Sequence, residues 1–172
     1  VNMYGKQYNG ATAATDLGVP LLTSPNLYTK LNRATVAEIY AQILKDLRTS
    51  ISRLPALPDF NVRPAKVSAY AIFAKTYLNM RDFDKAGLYA DSALALQSGL
   101  LDLKSYETAP GTIPVRISNP EIIFSKIANV AYPAISISND LLTSLGTTDL
   151  RYKLFTDVRG RFGSQFSAAF TG

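Results

Sequence analysis

The chain contains no cysteine, no histidine and no tryptophan. Without cysteine there is no disulfide, no thiolate metal site and no thiol nucleophile; without histidine the usual imidazole base and metal ligand are gone as well, which removes most hydrolase and zinc chemistries. The missing cysteine assigns no compartment, because cytosolic and exported proteins can both lack it. No apolar run approaches the roughly 18 residues a membrane-crossing helix requires. The opening Val1-Asn2-Met3-Tyr4-Gly5 has neither the charged nor the apolar region of a signal peptide. A basic run is also lacking: the net charge is +5, but lysines and arginines are dispersed among 13 acids, so nothing tracks a phosphate backbone and nucleic acid is not an expected partner. Gly160-Arg161-Phe162-Gly163 lacks the strand-to-helix setting of a phosphate loop. Asp82 and Asp84 flank Phe83 in a turn, and nothing in the sequence brings a carboxylate pair to one cleft for acid and base work. No catalytic residue, cofactor site or metal ligand is expected, and the chain is read as not an enzyme.

What is present is a globular composition. The 172 residues are 47% hydrophobic and 18% charged, which suits one domain with a sizeable core, or a fragment of something larger. Tyr70, Phe73, Ala74 and Tyr77, followed by Ala86, Ala90 and Ala93, repeat the aromatic and small-residue spacing of a tetratricopeptide unit. In such a unit two antiparallel helices meet where alanines let the backbones approach. An ordinary helical hairpin, with alanines present for helix propensity, is the alternative.

Around this hairpin the sequence predicts a fold that is mainly α, with tetratricopeptide-like hairpins and an irregular, loop-rich second half containing a little strand. Residues 1–34 form a loop-rich start with turn signals at Gly18-Val19-Pro20 and Ser24-Pro25-Asn26, and little regular structure beyond a short helical turn at the very beginning. Thr35-Val36-Ala37-Glu38 reads as a capping box. The helix after it carries Val36, Ile39, Tyr40, Ile43, Leu44, Leu47, Ile51 and Leu54 on one stripe and stops at Pro55. The hairpin's first helix should run from about Ala65 to Met80. Asp82 should cap the second, which should stop near Gly99 in a left-handed cap. Residues 35–98 are thus the helical part and 99–172 the irregular part with short helices. Ile122, Ile123, Phe124, Ile127 and Val130 favour a short strand. Short helices are expected from Ser138 to Gly146 and around Asp149 to Phe155.

Taken in order, these segments resemble the SusD/RagB family of Bacteroidetes outer-membrane nutrient-binding lipoproteins. The landmarks are Leu17-Gly18-Val19-Pro20-Leu21-Leu22, the Arg33-Ala34-Thr35-Val36 helix start, Leu54-Pro55, Arg63-Pro64-Ala65-Lys66, Ala69 to Ala74, Arg81-Asp82-Phe83, Asn119-Pro120-Glu121-Ile122-Ile123-Phe124 and Asp149-Leu150-Arg151. The resemblance implies a tetratricopeptide-like scaffold carrying a more irregular ligand-binding part. It implies non-catalytic capture of glycans at the cell surface and delivery to a TonB-dependent, SusC-like outer-membrane transporter. It also implies attachment to the membrane only through a lipid anchor, which would lie outside this segment. The chain reads as a single SusD-like domain or fragment: an internal segment or a shortened member. The rival function is a tetratricopeptide-like protein-binding module with no sugar ligand; a glycoside hydrolase is the third and least favoured.

Sugars are held by an aromatic face and planar hydrogen-bonding groups. Ten tyrosines and eight phenylalanines are available. Tyr40, Tyr70, Phe73, Tyr77 and Tyr89 fall at helical core spacing and are assigned to the core. The candidate ligand-binding residues are Tyr132, Asn129, Asn139 and Phe162, in irregular chain of the kind that carries function. Phe162 begins a series with Phe166 and Phe170, every fourth residue, that reads either as a groove or as exposed core. A turn-packing role for Tyr132, and a local cap or ion pair for Asp149 and Arg151, are the structural alternatives.

Overall fold

The computed structural model describes residues 4–26, 28, 30–126, 136–157 and 159–163. They divide into two compact units, one of residues 1–57 and 65–97, the other of residues 58–64 and 98–172.

In the first unit, β1 (Leu17–Pro20) pairs antiparallel with β2 (Arg33–Thr35), Leu17 opposite Thr35 and Pro20 opposite Arg33. This corrects the expectation of an irregular first 34 residues. Each strand is too short to show an alternating pattern, and what fixes the pair is partly a side chain: the Arg33 guanidinium donates to the Gly18 and Leu17 carbonyls at 2.6 and 2.9 Å. A turn is present at residues 10–15; of the helical turn expected at the very start, residues 1–3 lie outside the described residues.

Helix α1 (Val36–Ile51) begins at the expected capping box. The Glu38 N–H donates to Thr35 Oγ1 at 3.2 Å, and Glu38 Oε2 accepts the Thr35 N–H at 2.8 Å. The first helical amides have no partner inside the helix, and here the preceding turn supplies them: Val36 N–H donates to the Asp16 carbonyl and Ala37 N–H to that of Ala13. The expected stripe faces inward, with Val36, Ile39, Tyr40 and Leu44 buried.

Helices α2 (Lys66–Asn79) and α3 (Phe83–Leu94) form the expected hairpin. Ser68 Oγ accepts the Ala65 N–H at 2.8 Å and so closes the start of α2 from inside the helix. Asp82 caps α3 through the Lys85 N–H. Leu44 of α1, Phe73 and Tyr77 of α2 and Ala86 of α3 make one apolar cluster, with Tyr89 and Met80 packed against it. Ala86 and Ala93 are buried, whereas Phe83 and Leu88 are exposed because they lie off this stripe.

The expected cap at Gly99 is not formed. α3 ends at Leu94, and among the described residues only Gly146 and Gly160 are glycines at positive φ. Gly99 serves a close approach instead: a Cβ there would stand 3.3 Å from Pro120 Cβ.

The second unit holds α4 (Asn139–Leu145) and α5 (Leu150–Phe155) with three short 3₁₀ turns at 103–106, 110–112 and 116–118. Ser138 caps α4 and Gly146, at φ 69°, ends it as expected. Ile113, Leu154 and Phe155 form its buried cluster. The strand expected from Ile122 is absent over residues 122–126; Ile127 and Val130 lie outside the described residues. The backbone there makes isolated bonds rather than a ladder: the Ile122 N–H donates to the Asn119 carbonyl at 3.1 Å and the Ser125 N–H to that of Asn61 at 2.8 Å. No helix of the described residues is long and apolar enough to cross a membrane.

Candidate functional site

Among the described residues, each unit holds a cavity. In the first unit the turn after Asn9 folds on itself, the Asn9 carbonyl accepting the Thr12 and Ala13 N–H groups. Ala13 buries against Val36 and Tyr40, which anchors the turn on α1. Between this turn and the α2–α3 corner lies a polar cleft of about 530 Å³ lined by Lys6, Gln7, Tyr8, Asn9, Gly10, Thr12, Asp16, Met80 and Arg81. Tyr8 is half-buried, its ring set edge-on to Tyr40 at 5.0 Å, a contact that fixes its orientation. Lys6 Nζ and Thr12 Oγ1 each reach an Asp16 carboxylate oxygen at 2.6 Å. The Lys6 bond, and then that of Thr12, hold the Asp16 carboxyl below its ordinary range. The cleft combines one aromatic ring with two side-chain amides, a hydroxyl and three charged groups.

In the second unit a cavity of about 430 Å³ is mostly apolar, walled by Leu100, Leu101, Leu103, Ile137, Leu145, Phe155 and Phe162. A tight hairpin presents Phe162: Thr156 and Phe162 pair antiparallel, Gly160 turns at φ 67°, and the Asp157 carboxylate accepts the Arg159 and Arg161 N–H groups. Glu121 and Arg151 stand at the same cavity. Arg151 is committed to Asp149, whose carboxylate accepts its Nη2 at 2.6 Å and its Nε at 3.1 Å while also capping α5. These bonds bring Asp149 down to about 2, and they make the pair the local cap and ion pair of the structural alternative.

Of the sequence-derived candidates, Phe162 lines the apolar cavity, while Asn139 is exposed at the start of α4 and does not line it. Tyr132, Asn129, Phe166 and Phe170 lie outside the described residues. The aromatics assigned to the core behave as such: Tyr40, Phe73 and Tyr77 are buried, and Tyr70 and Tyr89 half-buried. The polar cleft was not anticipated. Its only sequence signal is the run of turn-forming Asn9, Gly10 and Thr12, which does not reveal that Arg81 joins them from far along the chain.

Residues 1–78 match the SusD-like_3 family model, described as "Starch-binding associating with outer membrane". Among solved structures, a SusD superfamily protein from Bacteroides thetaiotaomicron VPI-5482 superposes with a TM-score of 0.75 at 21% identity, covering 96% of this chain and 44% of its own. A SusD-like carbohydrate binding protein from Bacteroides vulgatus ATCC 8482 gives 0.54 at 19% identity, covering 85% of this chain and 29% of its own. At these identities the likeness is one of fold, and the chain spans less than half the length of either structure. No curated protein matches. Residues 1–78 are thus similar to the SusD-like_3 family, and the fold resembles that of SusD superfamily structures.

Proposed function

We propose that the chain is the glycan-binding part, or a portion of it, of a surface receptor that performs no catalysis and passes its ligand to a TonB-dependent, SusC-like transporter in the outer membrane. The observation that carries this reading is the polar cleft: Tyr8, Gln7, Asn9 and Thr12 line a space of about 530 Å³, a size and chemistry suited to a short oligosaccharide. Sugar hydroxyls need paired donors and acceptors, which side-chain amides supply, and an aromatic ring to lie against. The matched family's description and that of the Bacteroides vulgatus protein support the same ligand class. Outer-membrane location and the transporter partnership follow from the family and are part of the proposal, as is action of the whole chain as one SusD-like domain or fragment. So is a second contact around Tyr132, Asn129, Asn139 and Phe162.

Calorimetric titration of the full chain against a panel of plant and host oligosaccharides tests the reading. Binding to at least one, weakened by Gln7→Ala, is expected. Flat responses across the panel would remove the proposal.

The rival protein-binding module rests on the exposed Phe83, Leu88 and Leu94 of α3. It requires a partner that co-purifies and is lost when those three are changed to serine, with cleft substitutions having no effect.

A further inference from the structure

Arg81 is the one non-glycine residue at positive φ among the described residues, at 61°. It is the left-handed residue that ends α2, a position glycine usually fills. Two backbone bonds impose this conformation: Arg81 N–H donates to the Leu78 carbonyl and Asp82 N–H to that of Tyr77, both at 3.0 Å. The turn leaves the Arg81 side chain exposed on the wall of the polar cleft, where it has no hydrogen-bond or ion-pair partner among the described residues.

The other charged residues of the cleft are answered. Lys6 and Asp16, the remaining charged residues of the cleft, neutralise one another at 2.6 Å. Asp82, next in the chain to Arg81, is held by Lys85 Nζ at 2.6 Å. The cleft therefore carries one unbalanced positive charge, on a planar fork that matches a carboxylate with two parallel hydrogen bonds.

We propose that the ligand is an acidic oligosaccharide, a chain containing a uronic acid whose carboxylate is gripped by Arg81 while its hydroxyls meet Gln7 and Asn9. This rests on the glycan-binding reading and narrows it to one substrate class. A neutral sugar leaves the guanidinium unpaired; a uronate pairs it.

The test is a titration of the full chain with oligogalacturonate and with the same oligomer methyl-esterified, which keeps the shape and removes the charge. The acid should bind about tenfold more tightly than the ester at low salt, with the ratio falling as salt screens the pair. Arg81→Gln should bring the ratio to one, and Arg81→Lys, which keeps the charge but not the fork, should leave it in between. Arg81→Gly relieves the left-handed strain, so loss of the ratio in a variant of equal or higher melting temperature assigns the effect to charge rather than to misfolding. Sulfated oligosaccharides form a separate arm, and tighter binding there than to uronate overturns the carboxylate assignment. Equal binding of acid and ester by the unaltered protein overturns the inference and leaves glycan binding standing. Binding of neither, nor of any neutral glycan, overturns both.

Discussion

The ring of Tyr89 on α3 lies 4.5 Å from that of Phe73 on α2, the two planes 13° apart. Tyr77 lies nearly parallel to Tyr89 at 5.5 Å, and Lys85 Nζ sits 5.3 Å from the Tyr77 ring centre. These stacked rings fasten the hairpin that defines the first unit. Phe73→Ala should lower the unfolding free energy by about 3–5 kcal/mol, since Phe73 is fully buried. A double-mutant cycle with Tyr89→Ala, followed by urea unfolding, should show coupling of about 0.5–1.5 kcal/mol; strictly additive effects would contradict the stacking account.

Gly18 on β1 lies so close to α1 that an added Cβ would overlap Cδ1 of Ile39, itself buried. Gly18→Val should therefore cost about 1–3 kcal/mol by overpacking. Adding Ile39→Val should recover part of the loss. Thermal unfolding of the three variants measures both effects, and a fully stable Gly18→Val would mean the strand does not rest on the helix as described.

Asn61 ties the 58–64 segment into the second unit. Its side-chain amide donates to the Arg116 carbonyl at 2.7 Å, and its own carbonyl accepts the Ser125 N–H at 2.8 Å. Asn61→Ala leaves the Arg116 carbonyl with only the long bond from Asn119 N–H at 3.4 Å, at a cost of about 1–2 kcal/mol. Urea unfolding of the variant should show this loss, and unchanged stability would count against the link.

Acid should weaken the second unit through Glu107, which bridges Lys104 at 2.6 Å and Lys153 at 3.0 Å. The bond from Lys104 first, and then that from Lys153, lower its carboxyl from 4.5 to about 2. A folded-state value below the unfolded one stabilises the fold at higher pH, and that contribution disappears as pH falls from about 4.5 toward 2. Melting temperature should decline over this window, and Glu107→Gln should decline less steeply. Identical acid profiles would show that the bridge contributes nothing.

Within the cleft, Thr12→Val removes the hydroxyl on Asp16 and should raise that carboxyl toward its ordinary range. Glycan affinity should fall several-fold if the turn is the ligand's wall. A carbon-detected NMR titration of the Asp16 carboxyl, beside a binding isotherm, reads both effects. An unmoved Asp16 would refute the contact.

Sequence alone determined the local architecture of this protein. The capping box at Thr35 and Glu38, the stripe of α1, the α2–α3 hairpin, the Asp82 cap and the helix from Ser138 to Gly146 were all legible, because each depends on residues within a few turns of one another. Only tertiary structure decided the rest. The β1–β2 pair depends on an arginine reaching back to Leu17 and Gly18, and Gly99 turned out to serve Pro120 rather than a helix end. The polar cleft joins residues 6–16 to Arg81 across most of the first unit, a meeting that helical periodicity cannot announce because it is set by how the turn docks on α1.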